Sequence, residues 1–130
     1  MYSAITQHVE VTASPAYAPD RSAPEEGRWF WTYTIEIVNH GPRQVQLIAR
    51  TWRITDAAGR VEMVSGPGVV GETPILAPGA SFRYTSGCAL STASGIMSGC
   101  YRMVDANGQA FDAEIPAFSL DSPAARRVLN

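Results

Sequence analysis

Lysine is missing altogether: all ten basic residues of the 130-residue chain are arginines. That absence excludes a Schiff-base lysine, a phosphate-loop lysine and any lysine general base. Charge of either sign is sparse, at 17% of residues, and the net charge is −2. Such a balance argues against a nucleic-acid binder that works by neutralising phosphates. No run approaches the ~18 apolar residues of a membrane span. Residues Met1 to Ala13 alternate in polarity and lack the apolar stretch of a signal peptide. There are only two cysteines, Cys88 and Cys100. Without an export signal they are expected as free thiols in a reducing, cytoplasmic setting. Helical periodicity is also lacking, with Ser122 to Asn130 the sole weak candidate.

What remains is globular in composition, 45% hydrophobic, and it alternates with period two. Ile5, Gln7, Val9, Val11 and Ala13 share one face of a first run. Trp29, Trp31, Tyr33, Ile35 and Ile37 share one face of a second, opposed by Thr32, Thr34 and Glu36. Aromatic and β-branched residues at that spacing form half-buried strands. Asn39-His40-Gly41-Pro42 reads as a turn. Val45 to Asp56 is extended, but its apolar set changes parity between Leu47 and Ile48. Ile48, Trp52 and Ile54 make the better inward set, with Arg50 an awkward member, so a bulge is expected. Further strands follow at Arg60 to Val64, Phe82 to Ser86 and Met97 to Met103. Asn107-Gly108 signals a hairpin leading to Phe111, Ala113, Ile115 and Ala117. About seven strands with closely spaced turns predict an all-β antiparallel sandwich or barrel. Ser14 to Arg28, with Pro15, Pro19 and Pro24, is expected as a mobile surface loop.

A more specific pattern runs through the second half. Ser65-Gly66-Pro67-Gly68-Val69-Val70-Gly71-Glu72 is followed by Pro74, Leu76 and Pro78-Gly79. Phe82-x-Tyr84-x-Ser86, Leu90-x-Thr92 and Gly95-x-Met97-x-Gly99-x-Tyr101 come next, then Phe111 and Ile115-Pro116-x-Phe118-x-Leu120. Together with Phe30 to Asn39 and Trp52-Arg53-Ile54-Thr55-Asp56, this closely resembles the bacterial ApaG family over Ile5 to Pro123. The resemblance implies an immunoglobulin/fibronectin type III-like sandwich as one domain, residues 1–123, with 124–130 a mobile tail. It also implies an association with cobalt resistance and magnesium efflux. The same domain occurs in eukaryotic F-box and polymerase-associated proteins.

Candidate chemistry is thin. Gly66, Gly68 and Gly71 make G-x-G-x-x-G, which in a dinucleotide fold aims backbone N–H groups at a pyrophosphate. Here Pro67 removes one donor, Glu72 adds negative charge and no helix follows, so a structural glycine turn is the first reading. A phosphate- or nucleotide-binding module built on Gly66–Gly71 is the alternative. His8 and Glu10, about 7 Å apart along one strand face, and the Asp112–Glu114 pair are the metal candidates. His40 sits in a separate turn. A stable site needs three or four ligands, so no metal and no cofactor is expected. Cys88 and Cys100 have no histidine nearby in sequence, and no serine lies in a nucleophile elbow, so no catalytic set is expected. Trp29, Trp31 and Trp52 are expected in the core, whereas Phe30 and Val38 on the opposite parity mark a partly apolar outer face. These readings converge on a non-enzymatic cytoplasmic module that binds a protein partner. Any link to cobalt or magnesium is then indirect, with no nucleic acid and no membrane insertion.

Overall fold

The computed structural model describes residues 1–123. Expectations for the tail, and for a helix beyond residue 123, fall outside the described residues. Nine strands and two single-turn 3₁₀ segments make up the described chain. They are β1 (Tyr2–Thr6), β2 (Val9–Tyr17), β3 (Trp29–Asn39), β4 (Val45–Asp56), β5 (Val61–Pro67), β6 (Ile75–Leu76), β7 (Ser81–Leu90), β8 (Ser94–Asp105) and β9 (Ala110–Asp121). One sheet runs β1-β2-β3-β7, the other β5-β4-β8-β9, with β6 on β4. Every pairing between these strands is antiparallel. The two sheets stack as a sandwich, as expected for a fibronectin type III-like fold.

The core is the inward parity of both sheets. Val9, Val11, Trp31, Ile35 and Ile37 face Leu47, Met97, Tyr101, Met103, Ile115 and Phe118 across the gap, all almost fully buried. A ring of tilted and edge-on aromatic contacts joins the layers: Tyr33 to Trp52 at 5.3 Å, Tyr33 to Phe118 at 5.9 Å and Trp52 to Phe118 at 6.0 Å between centroids. Such pairs add about 0.5–1.5 kcal/mol each beyond area burial. The turn at Asn39 is built on that residue's buried amide. Its Nδ2 donates to Arg43 O at 2.7 Å and Leu76 O at 3.0 Å, and its Oδ1 accepts from Gly41 N. Asp56 and Asp105 cap the β4–β5 and β8–β9 turns, each accepting two backbone N–H bonds on one carboxylate oxygen.

Three sequence expectations need correction. The run from Ile5 to Ala13 is not one strand: Gln7 and His8, both at positive φ (45° and 71°), turn the chain between β1 and β2. Reversal inverts the parity, so Ile5 points to solvent and Tyr2, Ala4 and Thr6 face inward. Ser14 to Tyr17 belongs to β2, and the rest of the proline-rich segment is a tied corner. Ser22 Oγ donates to Ala18 O and accepts from Phe30 N, and Arg21 lies 3.9 Å over the Phe30 ring. Phe30 is therefore half-covered and packs over Gly87. In β9 the register shifts opposite Ser98, so Phe118 and Leu120 are inward and Ala117 is exposed.

The bulge expected in β4 is present, between Leu47 and Ala49. Before it Val45 and Leu47 face the core; after it Arg50, Trp52 and Ile54 take the inward parity, while Ile48 is only half-buried. An extra residue in one strand re-aims everything beyond it. This bulge turns Arg50 toward the space between the sheets and Arg53 toward water.

Candidate functional site

The sandwich is closed along one side by β9 packing on β1 and β2, where Tyr2 and Phe118 meet at 6.1 Å and Trp31 Nε1 donates to Asp121 O at 2.9 Å. Along the other side the edge strands β5 and β7 leave a cleft. One lobe, about 290 Å³, is walled by β5 and β7, and a smaller one of about 160 Å³ continues under Val69. Tyr33, Arg50, Trp52 and Ser86 line both lobes. These residues come from β3, β4 and β7, so only the stacking of the two sheets brings them together.

Arg50 is the charged member, and it is fixed. Its Nη1 donates to Pro67 O at 2.9 Å and Gly68 O at 3.0 Å. The guanidinium lies so close over Gly66, its partner in the β4–β5 ladder, that a Cβ there would come within 3.2 Å of Nη1. No described residue forms an ion pair with Arg50. Behind it, the buried hydroxyls of Tyr84 and Tyr101 hydrogen-bond each other. Burial pushes the phenols of Tyr33, Tyr84 and Tyr101 upward, and the Arg50 charge partly opposes this in all three. Burial also pushes the Cys88 thiol up to about 11, with Glu62 at the cleft rim adding to the effect.

The three candidate glycines have separate structural tasks. Gly66 makes room for the Arg50 guanidinium. Gly68, at φ +60°, bonds Ile48 O through its N–H, and a Cβ there would run into Glu72 O. Gly71, at φ +80°, follows Val70 at φ +42° in a two-residue turn closed by mutual Val69–Glu72 backbone bonds of 2.8 Å. The N–H groups of Gly68, Val69 and Glu72 are thus held within the chain, and the Pro67 and Gly68 carbonyls are held by Arg50.

The metal candidates do not converge. His8 occupies the β1–β2 turn, off the strand face that Glu10 shares. Glu10 instead accepts from His40 at 2.8 Å and from Ser3, contacts that hold its carboxyl below the usual 4.5, the His40 bond contributing most. Asp112 pairs with Arg102 at 2.8 Å, and Glu114 lies across the ladder from Cys100. No three His, Cys, Asp or Glu residues cluster among the described residues. Both cysteines are free. Trp31 and Trp52 are in the core, and Trp29 is packed against it. Sequence reasoning marked Arg50 as out of place on an inward parity, which was the available signal. Its cleft partners Tyr33, Tyr84 and Ser86 looked like ordinary core.

A family model described as the ApaG domain matches residues 19–105. The chain is 61% identical over its whole length to Protein ApaG of Methylocella silvestris, and 58% identical to that of Bradyrhizobium sp. strain ORS 278. In both cases the alignment covers 100% of each chain. Among solved structures, a putative ApaA protein from Bordetella pertussis superposes with a TM-score of 0.86 at 44% identity, covering 88% of this chain and 94% of that one. A sandwich with this glycine turn, matched end to end by such relatives, places the chain in the ApaG family.

Proposed function

We propose that the chain is a non-enzymatic cytoplasmic interaction module that receives an extended segment of a partner protein along β5. Any bearing on cobalt or magnesium tolerance then passes through that partner. One observation carries the reading: β5 is an edge strand whose two faces are both open to solvent. Val61, Met63 and Val64 are exposed, and Glu62 is the one charge within the strand. Edge strands present a row of unpaired backbone groups, and proteins usually defend them with lysine, inward charges or proline. Here the chain has no lysine, and proline comes only at the last residue, Pro67. Glu62 is the one inward charge, at the cleft rim, and the outer face with Val61 and Met63 carries none, which fits strand addition, where backbone bonds give affinity and side chains give selectivity.

The test is a titration with apolar-alternating peptides of the length of β5, seven residues, followed by backbone amide shifts. Shifts confined to Val61–Pro67 and abolished in Met63→Glu support the reading. Absence of any saturable shift there across the peptide panel removes it. A concentration-dependent dimer lost in Met63→Glu would reassign the edge to a second copy of the chain.

A further inference from the structure

The cleft between β5 and β7 contains more than an edge strand needs. Arg50 is half-buried between two sheets, and no described carboxylate answers it. Its Nη1 is consumed by the Pro67 and Gly68 carbonyls, and it is packed on Gly66. The Nε and Nη2 edge, the fork that donates to two oxygens of one oxyanion, has no hydrogen-bond partner among the described residues. A guanidinium held at one nitrogen has already lost the side-chain freedom that binding would otherwise cost. The floor around it is formed by the edge-on rings of Trp52 and Tyr33 and by Cys88, with Ser86 the small hydroxyl between the lobes.

We propose that this cleft is a binding site for a small monocarboxylate with a flat apolar body. The Nε–Nη2 fork of Arg50 takes the carboxylate, and the body lies against Trp52 and Tyr33. Three observations select that class. The main lobe of about 290 Å³ sits at the lower edge of the range of ~300–1,000 Å³ typical for ligand pockets, which suits a compact ring better than a nucleotide. Glu62 at the rim opposes a multiply charged ligand but tolerates a single charge already paired with arginine. Apart from Arg50, Glu62, Ser86 and the Tyr33 hydroxyl, the lobe is lined by aliphatic, aromatic and sulfur side chains, so a body with many polar groups of its own would leave some unmatched.

Benzoate, its neutral analogue benzamide and inorganic phosphate are the probes, titrated into the full chain while backbone amides and the Trp52 indole N–H are followed. Benzoate is expected to saturate with a dissociation constant on the order of 1 mM. Its shifts should centre on Gly66–Val69, Ser86–Ala89 and the Trp52 indole. Benzamide should bind at least about tenfold more weakly, because a hydrogen bond to a charged group is worth more than a neutral one. Arg50→Gln should show the same loss with benzoate. Because that variant also frees the Pro67 and Gly68 carbonyls, Ser86→Leu serves as a second block: it fills the cleft and leaves the arginine anchored. Equal binding of benzoate and benzamide would overturn the proposal. So would phosphate binding as tightly as benzoate, or benzoate binding undiminished in Ser86→Leu.

Discussion

Two tryptophans two residues apart show how strongly one hydrogen bond decides a side chain's worth. Trp31 is buried and its indole N–H donates to Asp121 O at 2.9 Å, tying β3 to the end of β9. The Trp29 indole N–H is equally buried and has no partner among the described residues. Replacing Trp31 by phenylalanine removes both volume and a satisfied donor, and should cost about 2–4 kcal/mol in urea unfolding. The same change at Trp29 removes an unsatisfied donor along with the volume, so the cost should be under about 1 kcal/mol. Equal losses would mean that the indole N–H groups do not matter. The cysteines differ in the same local way. Burial raises both thiols, but Cys88, at about 11, is the more deeply placed. At pH 8 only roughly one Cys88 in a thousand is thiolate, so a disulfide-exchange reagent should modify Cys100 first. The Cys88 rate should still be climbing tenfold per pH step up to pH 10. A faster Cys88 at pH 8 would contradict its burial.

At the scale of elements, turns carry the informative strain. Gln7 and His8 both sit at positive φ, which the two-residue type I′ hairpin demands and which Asn-Gly provides without penalty. Replacing Gln7-His8 by Asn-Gly should therefore stabilise the protein by about 1 kcal/mol, read as a raised melting temperature. The opposite holds at Gly68, where a side chain meets both positive φ and the Glu72 carbonyl. Gly68→Ala should cost more than about 2 kcal/mol, and Gly71→Ala, with open space around it, about 1 kcal/mol. These same elements show what the sequence disclosed. The β4 bulge was legible because Leu47-Ile48 broke the alternation visibly. The β1–β2 hairpin was not, because its turn lacks glycine, asparagine, aspartate and proline. An exposed Ile5 and an inward Thr6 also mimic one continuous strand. The β9 shift was hidden for a related reason: Ile115, Pro116, Ala117 and Phe118 are all apolar, so either parity satisfies them. The cleft was half-legible. Arg50 announced itself by parity, but Tyr33 and Ser86 reach it only through the stacking of one sheet on the other.

For the whole molecule, most contacts join residues far apart in sequence, the three hairpins β1–β2, β4–β5 and β8–β9 aside. β1 packs on β9, and β3 pairs with β7 across the whole stretch that holds β4, β5 and β6. Loop closure must be met before such contacts return anything, so refolding followed by tryptophan fluorescence should relax in roughly milliseconds to seconds. A microsecond phase accounting for the full amplitude would contradict this topology. The seam that closes the sandwich has a further consequence. Tyr2 and Asp121 lie at one patch of surface, lining a common depression with Met1 and Ser119. Entry and exit of the folded unit are therefore neighbours, the geometry that lets a domain be spliced into a loop of a host protein without prying the host apart. It also makes the order of strands along the chain negotiable. A short linker running from Asp121 to Tyr2, with new termini opened at the exposed Asn107-Gly108 turn, would leave every ladder of both sheets intact.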